Sequence, residues 1–206
     1  MKKLIRFLSV CLVLSFTIFV SSCSKNDNNN NTESLLTENE KADLLQLREE
    51  EKLARDVYLY EYDKYGLSIF SNISNSEQTH MTQVLNILKA YNIQDPASSV
   101  QGVFNDEKLQ TLYDNLLVEA DKSLLDALKV GATIEDLDIE DITVFLGRTS
   151  KSDISTMYES LACGSRNHLR SYYSQIVAYG GTYSPLYISE DYFNSIINSS
   201  NENCGR

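Results

Sequence analysis

The 206-residue sequence has no tryptophan, only 2 prolines and only 8 glycines. An all-β sandwich or barrel needs turn-forming residues at intervals of ~8–12 positions, so this shortage of glycine and proline argues against both architectures. The hydrophobic fraction of 42% excludes a disordered chain. A helical globular domain is the class that these limits leave.

Basic residues are scarce relative to acidic ones. The 18 Lys and Arg are outnumbered by 29 Asp and Glu, which gives a net charge of -11 at pH 7. A surface this acidic repels the phosphates of DNA and RNA, so we expect no nucleic-acid partner. Metal ions are partners that such a surface suits better.

The apolar stretch at residues 7–20 is shorter than the ~20 residues that a helix needs to cross a bilayer. It follows three basic residues and precedes small ones, which predicts a signal peptide over residues 1–22. The order Val20-Ser21-Ser22-Cys23 resembles a bacterial lipoprotein processing site, which would leave Cys23 lipidated as the new first residue. Cleavage of an ordinary secreted protein nearby is the alternative.

The Asn-rich residues that follow predict a flexible tether over residues 23–36, between the lipid and the domain. Ser24, in place of Asp, resembles lipoproteins that are sent on to the outer membrane of a two-membrane cell. We therefore expect a lipid-anchored protein of the cell envelope, which contacts the membrane through Cys23.

Export would bring the cysteines into a compartment where disulfides form. Cys11 would leave with the signal peptide and Cys23 would carry the lipid, so Cys163 and Cys204 would remain as a pair in a compartment that permits disulfides. A disulfide between them would fasten the carboxy-terminal tail to a helix. Two free thiols are the alternative, because the sequence does not give the distance between the two Cα atoms.

Four segments carry hydrophobic residues at three- and four-residue steps, which predicts amphipathic helices. They cover residues 37–65, about 68–91, a segment from about Ser123, and one from an Asp153 cap to about Tyr179. The first begins with the capping-box spacing Thr37-x-x-Glu40 and stops at Gly66. A loop of about three residues joins it to the second helix, which forces an antiparallel hairpin.

Residues 92–122 form a long connection between the second and third predicted helices. A helix of ~20 residues is ~30 Å long, so this connection is long enough to run the length of a bundle. A long crossover is typical of ferritin-like four-helix bundles. We therefore expect an all-α, ferritin-like four-helix bundle over residues 37–197, with a further short helix capped by Ser189 and a tail at 198–206.

Each of the four predicted helices carries polar groups in the middle of its hydrophobic face. They are Glu51; Glu77 and His80; Glu135 and Asp138; and Ser165 and His168. Burying an unpaired carboxylate costs several kcal/mol or shifts its pKa until it is neutral, so these positions need a joint explanation. A shared cation supplies one. Glu49, by contrast, is expected on the solvated side of the first helix.

A carboxylate-bridged di-metal centre takes one Glu from each of two helices and Glu-x-x-His from each of the other two. The residues that fit are Glu51, Glu77, His80, Glu135 and His168. Ser165 departs from the pattern, since it stands where the second motif has Glu. Asp138 lies one turn after Glu135 and would supply the missing carboxylate, so that four negative charges balance two divalent ions. A single-metal site is the alternative if Asp138 is not a ligand.

Three segments resemble a known group of proteins: residues 48–58 (REEEKLARDVY), 76–81 (SEQTHM) and 164–169 (GSRNHL). Over about residues 40–195 the chain resembles an uncharacterised bacterial and archaeal family of ferritin-like proteins, a domain of unknown function, and its metal-bearing motifs look like those of rubrerythrin. The resemblance implies the ferritin-like fold and, through rubrerythrin, di-iron oxidation or peroxide chemistry. The chain has no Cys-x-x-Cys pair, so a rubredoxin-like domain is absent and any reductant is external.

Two functions follow from these observations. The first is an exported di-metal oxidoreductase or ferroxidase with two iron ions, for which manganese or zinc would be substitutes. In it, Tyr58 would donate a hydrogen bond or an electron. The second is a non-catalytic surface module with a structural metal. An intact Glu at position 165 would have favoured redox chemistry, so Ser165 is the feature that separates the two.

Overall fold

The computed structural model describes residues 36–204, and this part of the chain is all helical, with six helices and no strand. The helices are α1 (Glu38–Tyr65), α2 (Ser68–Ala90), α3 (Glu107–Ala120), α4 (Leu124–Leu146), α5 (Ser152–Ala178) and α6 (Glu190–Ile197). The predicted all-α class is confirmed. The predicted signal peptide, Cys23 and nearly all of the tether lie outside the described residues.

Local sequence signals set most of the helix ends. Thr37 and Glu40 form the predicted capping box at the start of α1, and Gly66 ends the helix with a φ of 67°, a left-handed conformation that glycine adopts without strain. Ser123 and Ser189 cap α4 and α6. The start of α5 differs from the prediction: Lys151 is its N-cap residue and makes no side-chain capping bond. Asp153 lies inside the first turn, where its carboxylate accepts a hydrogen bond from Tyr91 instead.

The four long helices pack in pairs, with α1 against α2, α4 against α5, α1 against α4, and α2 against α5. Their buried hydrophobic residues form two clusters. The first cluster includes Leu44, Leu47, Val84, Leu88, Ile142, Phe145, Ile154 and Leu161. The second includes Val57, Tyr58, Phe70, Ile73, Ala127, Leu128, Tyr172 and Ile176. A level of buried polar side chains lies between the two clusters along each helix.

The connection between α2 and α4 is held against α1 by a buried ion pair. Lys52 and Asp56 are both inaccessible to solvent and lie 2.5 Å apart. Asp56 also accepts a hydrogen bond from the backbone N–H of Gly102, and the Lys52 ammonium lies 4.2 Å from the centre of the Phe104 ring. The hydrogen bond and the cation–π contact satisfy the buried charges and fix the connection on α1.

The segment after α5 is fastened to α4 and α5. The carboxylate of Asp136 accepts hydrogen bonds from the backbone N–H groups of residues 186–188 and from the hydroxyl of Tyr183. Farther along, Cys163 of α5 is bonded to Cys204, with Cα atoms 5.5 Å apart. Among residues 36–204, no helix combines the length and the apolar character needed to cross a membrane.

Candidate metal centre

The carboxylate of Glu77 lies between the two histidines of the chain. Its Oε2 atom is 2.7 Å from Nδ1 of His80, and its Oε1 atom is 2.8 Å from Nδ1 of His168. Glu77 and His80 face the same side because they are three residues apart on α2. His168 is supplied by α5, which packs alongside α2. One carboxylate therefore joins two imidazoles from two helices.

Each imidazole has a second carboxylate beside it. Nδ1 of His80 is 3.1 Å from Oε2 of Glu51, and Nδ1 of His168 is 3.3 Å from Oε2 of Glu135. We call these five residues, Glu51, Glu77, His80, Glu135 and His168, the carboxylate–histidine cluster. It contains two overlapping sets of buried potential ligands, Glu51 with Glu77 and His80, and Glu77 with Glu135 and His168. The ligand atoms within each set all lie within 4.8 Å of one another.

The cluster is electrostatically unusual. Burial raises the pKa of Glu51 to about 8, although the charge of His80 lowers it. Burial acts on Glu77 in the same direction, but the charges of His168 and His80 outweigh it and hold the pKa of Glu77 well below its usual range. Burial opposes protonation of His168, yet the Glu77 and Glu135 carboxylates raise its pKa to about 10. The imidazoles and the buried carboxylates are therefore one another's charge partners.

Two further side chains orient the members of the cluster. Tyr58, fully buried on α1, donates a hydrogen bond of 2.6 Å to Oε1 of Glu135. The hydroxyl of Ser76 lies 2.9 Å from Nε2 of His168. These contacts occupy the atoms of Glu135 and His168 that point away from Glu77, so the opposite atoms, Oε2 and Nδ1, face the centre of the cluster.

Asp138 lies near the cluster but belongs to neither set of ligands found among the described residues. It is 3% exposed, and its Oδ2 atom has no hydrogen-bond partner there. Burial, followed by the charges of Glu51 and Glu135, raises its pKa well above the usual value. Asp138 instead lines a cavity of about 30 Å³ together with Glu50, beneath the connection between α2 and α4.

Ser165 lies at the same level as the cluster, but its hydroxyl donates a hydrogen bond to the backbone carbonyl of Leu161 at 3.2 Å.

Gly164, the residue before Ser165, leaves room for the imidazole of His80. A Cβ atom at position 164 would lie 2.5 Å from Nε2 of His80, which is closer than side chains pack. The sequence signal for Gly164 is a glycine in the middle of a helix, where it costs about 1 kcal/mol relative to alanine and calls for a packing reason. Ser76 gives no such signal.

The expectation that Glu49 faces solvent is wrong. Glu49 is only 7% exposed, and the same is true of Glu50. The connection between α2 and α4 covers this face of α1, where the backbone of Asn105 hydrogen-bonds to Glu49. Burial raises the pKa of Glu49, and it raises the pKa of Glu50 to about 7.

Comparisons with known proteins identify relatives over most of the chain. Residues 40–200 match the model of a family described as an uncharacterized protein domain, DUF2202. The chain is 51% identical over 168 residues to uncharacterized protein MJ0754 of Methanocaldococcus jannaschii, a match that covers 81% of this chain and 91% of the relative. The crystal structure of the hypothetical protein MJ0754 superimposes with a TM-score of 0.80 at 48% identity, covering 88% of this chain and all of that one.

Proposed function

We propose that this chain, which belongs to the DUF2202 family, binds two divalent metal ions in the carboxylate–histidine cluster and uses them for redox chemistry. Glu51 and His80 would hold one ion, Glu135 and His168 would hold the other, and Glu77 would hold both. The observation that carries the proposal is the position of Glu77. Its two oxygens lie within 2.8 Å of the Nδ1 atoms of two different histidines, and each histidine has a further carboxylate beside it.

The donor set supports this proposal. Carboxylate oxygens and imidazole nitrogens suit iron and manganese, and they also suit zinc. Oε1 of Glu51 is buried and has no hydrogen-bond partner among the described residues, which is costly unless a ligand or ion occupies the position beside it. A metal ion would replace the protons that the two imidazoles hold in its absence. The two overlapping ligand sets are the basis for proposing two ions, and a single ion held through Glu77 is the alternative, because Asp138 lies outside both sets.

We also propose that the domain is a ferritin-like four-helix bundle related to rubrerythrin. The first hydrophobic cluster unites the beginnings of α1 and α5 with the ends of α2 and α4, and the second cluster unites the opposite halves. This supports parallel α1 and α5, with α2 and α4 running the other way. The connection at residues 91–123 would then cross the length of the bundle between α2 and α4, as in ferritin-like folds.

Bound iron(II) would supply electrons for the reduction of dioxygen or peroxide and would itself be oxidised to iron(III). A hydrophobic cluster on each side shields the carboxylate–histidine cluster from water along the helix axes. If Nδ1 of His168 bound a metal ion, the ring proton would lie on Nε2. Nε2 would then donate a hydrogen bond to the Ser76 hydroxyl, and this bond would hold the ring in place. Tyr58 holds Glu135 through its hydroxyl and is our candidate for a hydrogen-bond or electron donor. The chain has no Cys-x-x-Cys motif, so the reductant would come from another molecule.

We place this activity in the cell envelope. The proposed lipid on Cys23 would anchor the domain to a membrane, the outer membrane where the cell has two, through the tether at residues 23–36. An oxidising compartment is consistent with the disulfide between Cys163 and Cys204.

A second candidate is a non-catalytic surface module in which the metal is structural. Ser165 favours it, because its hydroxyl bonds to the backbone of its own helix and adds no carboxylate to the cluster. The two candidates differ in whether iron(II) bound to the cluster is oxidised by air.

The experiment is metal analysis of protein purified without chelators or affinity tags, followed by measurement of iron(II) oxidation under air. We expect about two ions per chain and oxidation faster than in buffer. Stoichiometric metal without accelerated oxidation would support the structural-metal candidate. Protein that neither retains metal nor binds added iron(II) or manganese(II) would contradict both.

A further inference from the structure

A polar cavity of about 610 Å³ opens beside the carboxylate–histidine cluster, between α2 and α5. Both histidines line it, and so does Ser76, the residue that orients His168. Among the residues that complete the wall are Thr79, Gln83, Ser160 and Asn167. The hydrophobic clusters flank the carboxylate–histidine cluster along the helix axes, and among the described residues both imidazoles line this cavity.

Helices α2 and α5 form two walls of the cavity, and the carboxy-terminal tail, residues 202–204, forms the third. The tail is fastened to α5 at several points. Cys204 is bonded to Cys163, and the Glu202 carboxylate accepts hydrogen bonds from Arg166 at 2.8 Å and from Arg170 at 2.7 Å. Asn167 adds two hydrogen bonds to the backbone of Glu202. The position of this wall is therefore fixed by covalent and charged contacts at both of its ends.

The chemistry of the cavity indicates which molecules it admits. Hydroxyl and amide side chains predominate in its lining, which disfavours apolar ligands. Among the described residues, Glu202 contributes the one carboxylate of the lining, and two arginines offset its charge. The two imidazoles of the lining are paired with the buried carboxylates of Glu51, Glu77 and Glu135, so the cavity presents no strong net charge to a visiting ion. These properties suit a small, uncharged, hydrophilic molecule.

We propose that this cavity is the entrance through which small uncharged hydrophilic molecules reach the cluster, and that the disulfide-fastened tail limits the size of what enters. The role of the entrance rests on the proposed metal centre. The geometry of the entrance can nevertheless be tested without metal, because His80 and His168 are the only histidines in the chain.

The test measures carbethoxylation of the two histidines by diethyl pyrocarbonate, a small uncharged reagent, in metal-free full-length protein. The reagent attacks unprotonated imidazole, so the wild type and all variants are compared at one and the same alkaline pH. Peptide mass spectrometry gives the rate at each histidine. Ser160→Leu adds a side chain to the cavity from the half-buried surface of α5, and we expect it to slow both reactions about tenfold. Ser174→Leu is the matched control, because Ser174 is exposed on the same helix outside the cavity, and it should leave both rates unchanged.

The tail is tested by Cys163→Ser combined with Cys204→Ser, which should raise both rates about tenfold. Glu202→Gln keeps the disulfide but weakens the ion pairs, and it should give a smaller increase. Circular dichroism at the reaction temperature checks that each variant is folded. Unchanged rates in Ser160→Leu would overturn the entrance, and unchanged rates in both tail variants would overturn the role of the tail.

Metal protection separates this inference from the proposed function. If manganese(II) does not slow the carbethoxylation of wild-type protein, the metal centre is contradicted while the effects of Ser160→Leu and of the tail variants still decide the entrance. If manganese(II) protects and these variants behave like the wild type, the metal centre stands and the entrance fails.

Discussion

His80 lies directly against the backbone of Gly164, and a Cβ atom added there would lie 2.5 Å from Nε2 of the imidazole. We therefore expect Gly164→Ala to displace His80 and cost about 1–3 kcal/mol through overpacking, despite the higher helix propensity of alanine. The variant should also lose most of the increase in Tm that manganese(II) gives the wild type. Differential scanning calorimetry with and without the metal measures both effects.

Gly147→Ala is the control for this substitution. An added Cβ would come no closer than 3.4 Å to a neighbouring atom there, and the backbone φ of -70° suits alanine. Its Tm and its response to manganese(II) should match the wild type. A Gly164→Ala variant with the same response would show that His80 is not held by this contact.

Glu77→Gln should abolish metal binding at both positions, because Glu77 is shared by the two sets of ligands. In wild-type protein, a metal at ~100 times its dissociation constant should stabilise the fold by ~2.7 kcal/mol. We expect no stabilisation of Glu77→Gln by iron(II) or manganese(II) in thermal denaturation. Glu159→Gln, at an exposed position of α5, should respond as the wild type does. Equal responses of the two variants would contradict the metal centre.

The metal-free protein should lose stability as the pH rises above neutrality. Glu51 has a pKa raised from 4.5 to about 8, so the stability tied to its proton is lost as the pH rises through 8. His168 has a pKa raised from 6.5 to about 10, so its contribution is complete below 6.5 and is lost on approach to 10. Between pH 6.5 and about 8, both groups therefore lower the stability of the fold as the pH rises, and above pH 8 the further loss comes from His168.

Thermal denaturation of metal-free protein across this range, from pH 6.5 to about 10, checks this expectation. The Tm should fall with pH, and manganese(II) should bind more tightly at the higher pH because it competes with fewer protons. Proton release on metal addition, followed with a pH indicator, is a second measurement. A Tm that stays constant or rises would show that the imidazoles are not the charge partners of the carboxylates.

The disulfide between Cys163 and Cys204 should be present in the exported protein. It closes a loop with a sequence separation of 41 residues, for which the expected stabilisation is about 2–4 kcal/mol. Mass spectrometry of non-reduced peptides should detect the cross-linked pair, and reduction should lower the Tm. Alkylation of both thiols without prior reduction would rule the disulfide out.

Cys23→Ser should release the domain from the membrane or stall processing of the precursor, because the predicted lipid attaches to the cysteine thiol. Cell fractionation followed by blotting distinguishes mature from precursor protein. Replacement of Cys11, which lies within the predicted signal peptide, is the control and should leave anchoring intact. A Cys23→Ser protein that is processed normally and stays in the membrane fraction would contradict the lipoprotein prediction.

Much of the helical architecture could be predicted from local sequence. The capping box at Thr37 and the glycine at position 66 define α1, since caps and left-handed turns depend on neighbouring residues alone. Likewise, the spacing of Glu77 and His80 places both on one face of α2. These features do not depend on how the helices pack.

The remaining features depend on how distant segments meet. The sequence predicts a solvent-facing Glu49, but the residue is buried because the connection after α2 folds back over α1. Ser76 contacts His168 from another helix, and Gly164 matters because His80 of α2 lies against it. Both contacts are set by the lateral register of α2 against α5. No pattern within a single helix determines that register.

The ion pair between Lys52 and Asp56 has a consequence for protein engineering. Asp56 accepts a hydrogen bond from Gly102 of the long connection, and Lys52 lies over the ring of Phe104. Lys52 directly follows Glu51 in the chain. An epitope tag or a reporter domain inserted near Gly102 would therefore strain the helix turn that carries a candidate ligand, even though loops usually accept such insertions. A new chain terminus made there by circular permutation would do the same. The carboxyl end of α3 is no better a place, because Ala120 is buried there and side chains of α1 hydrogen-bond to Ala120 and Asp121.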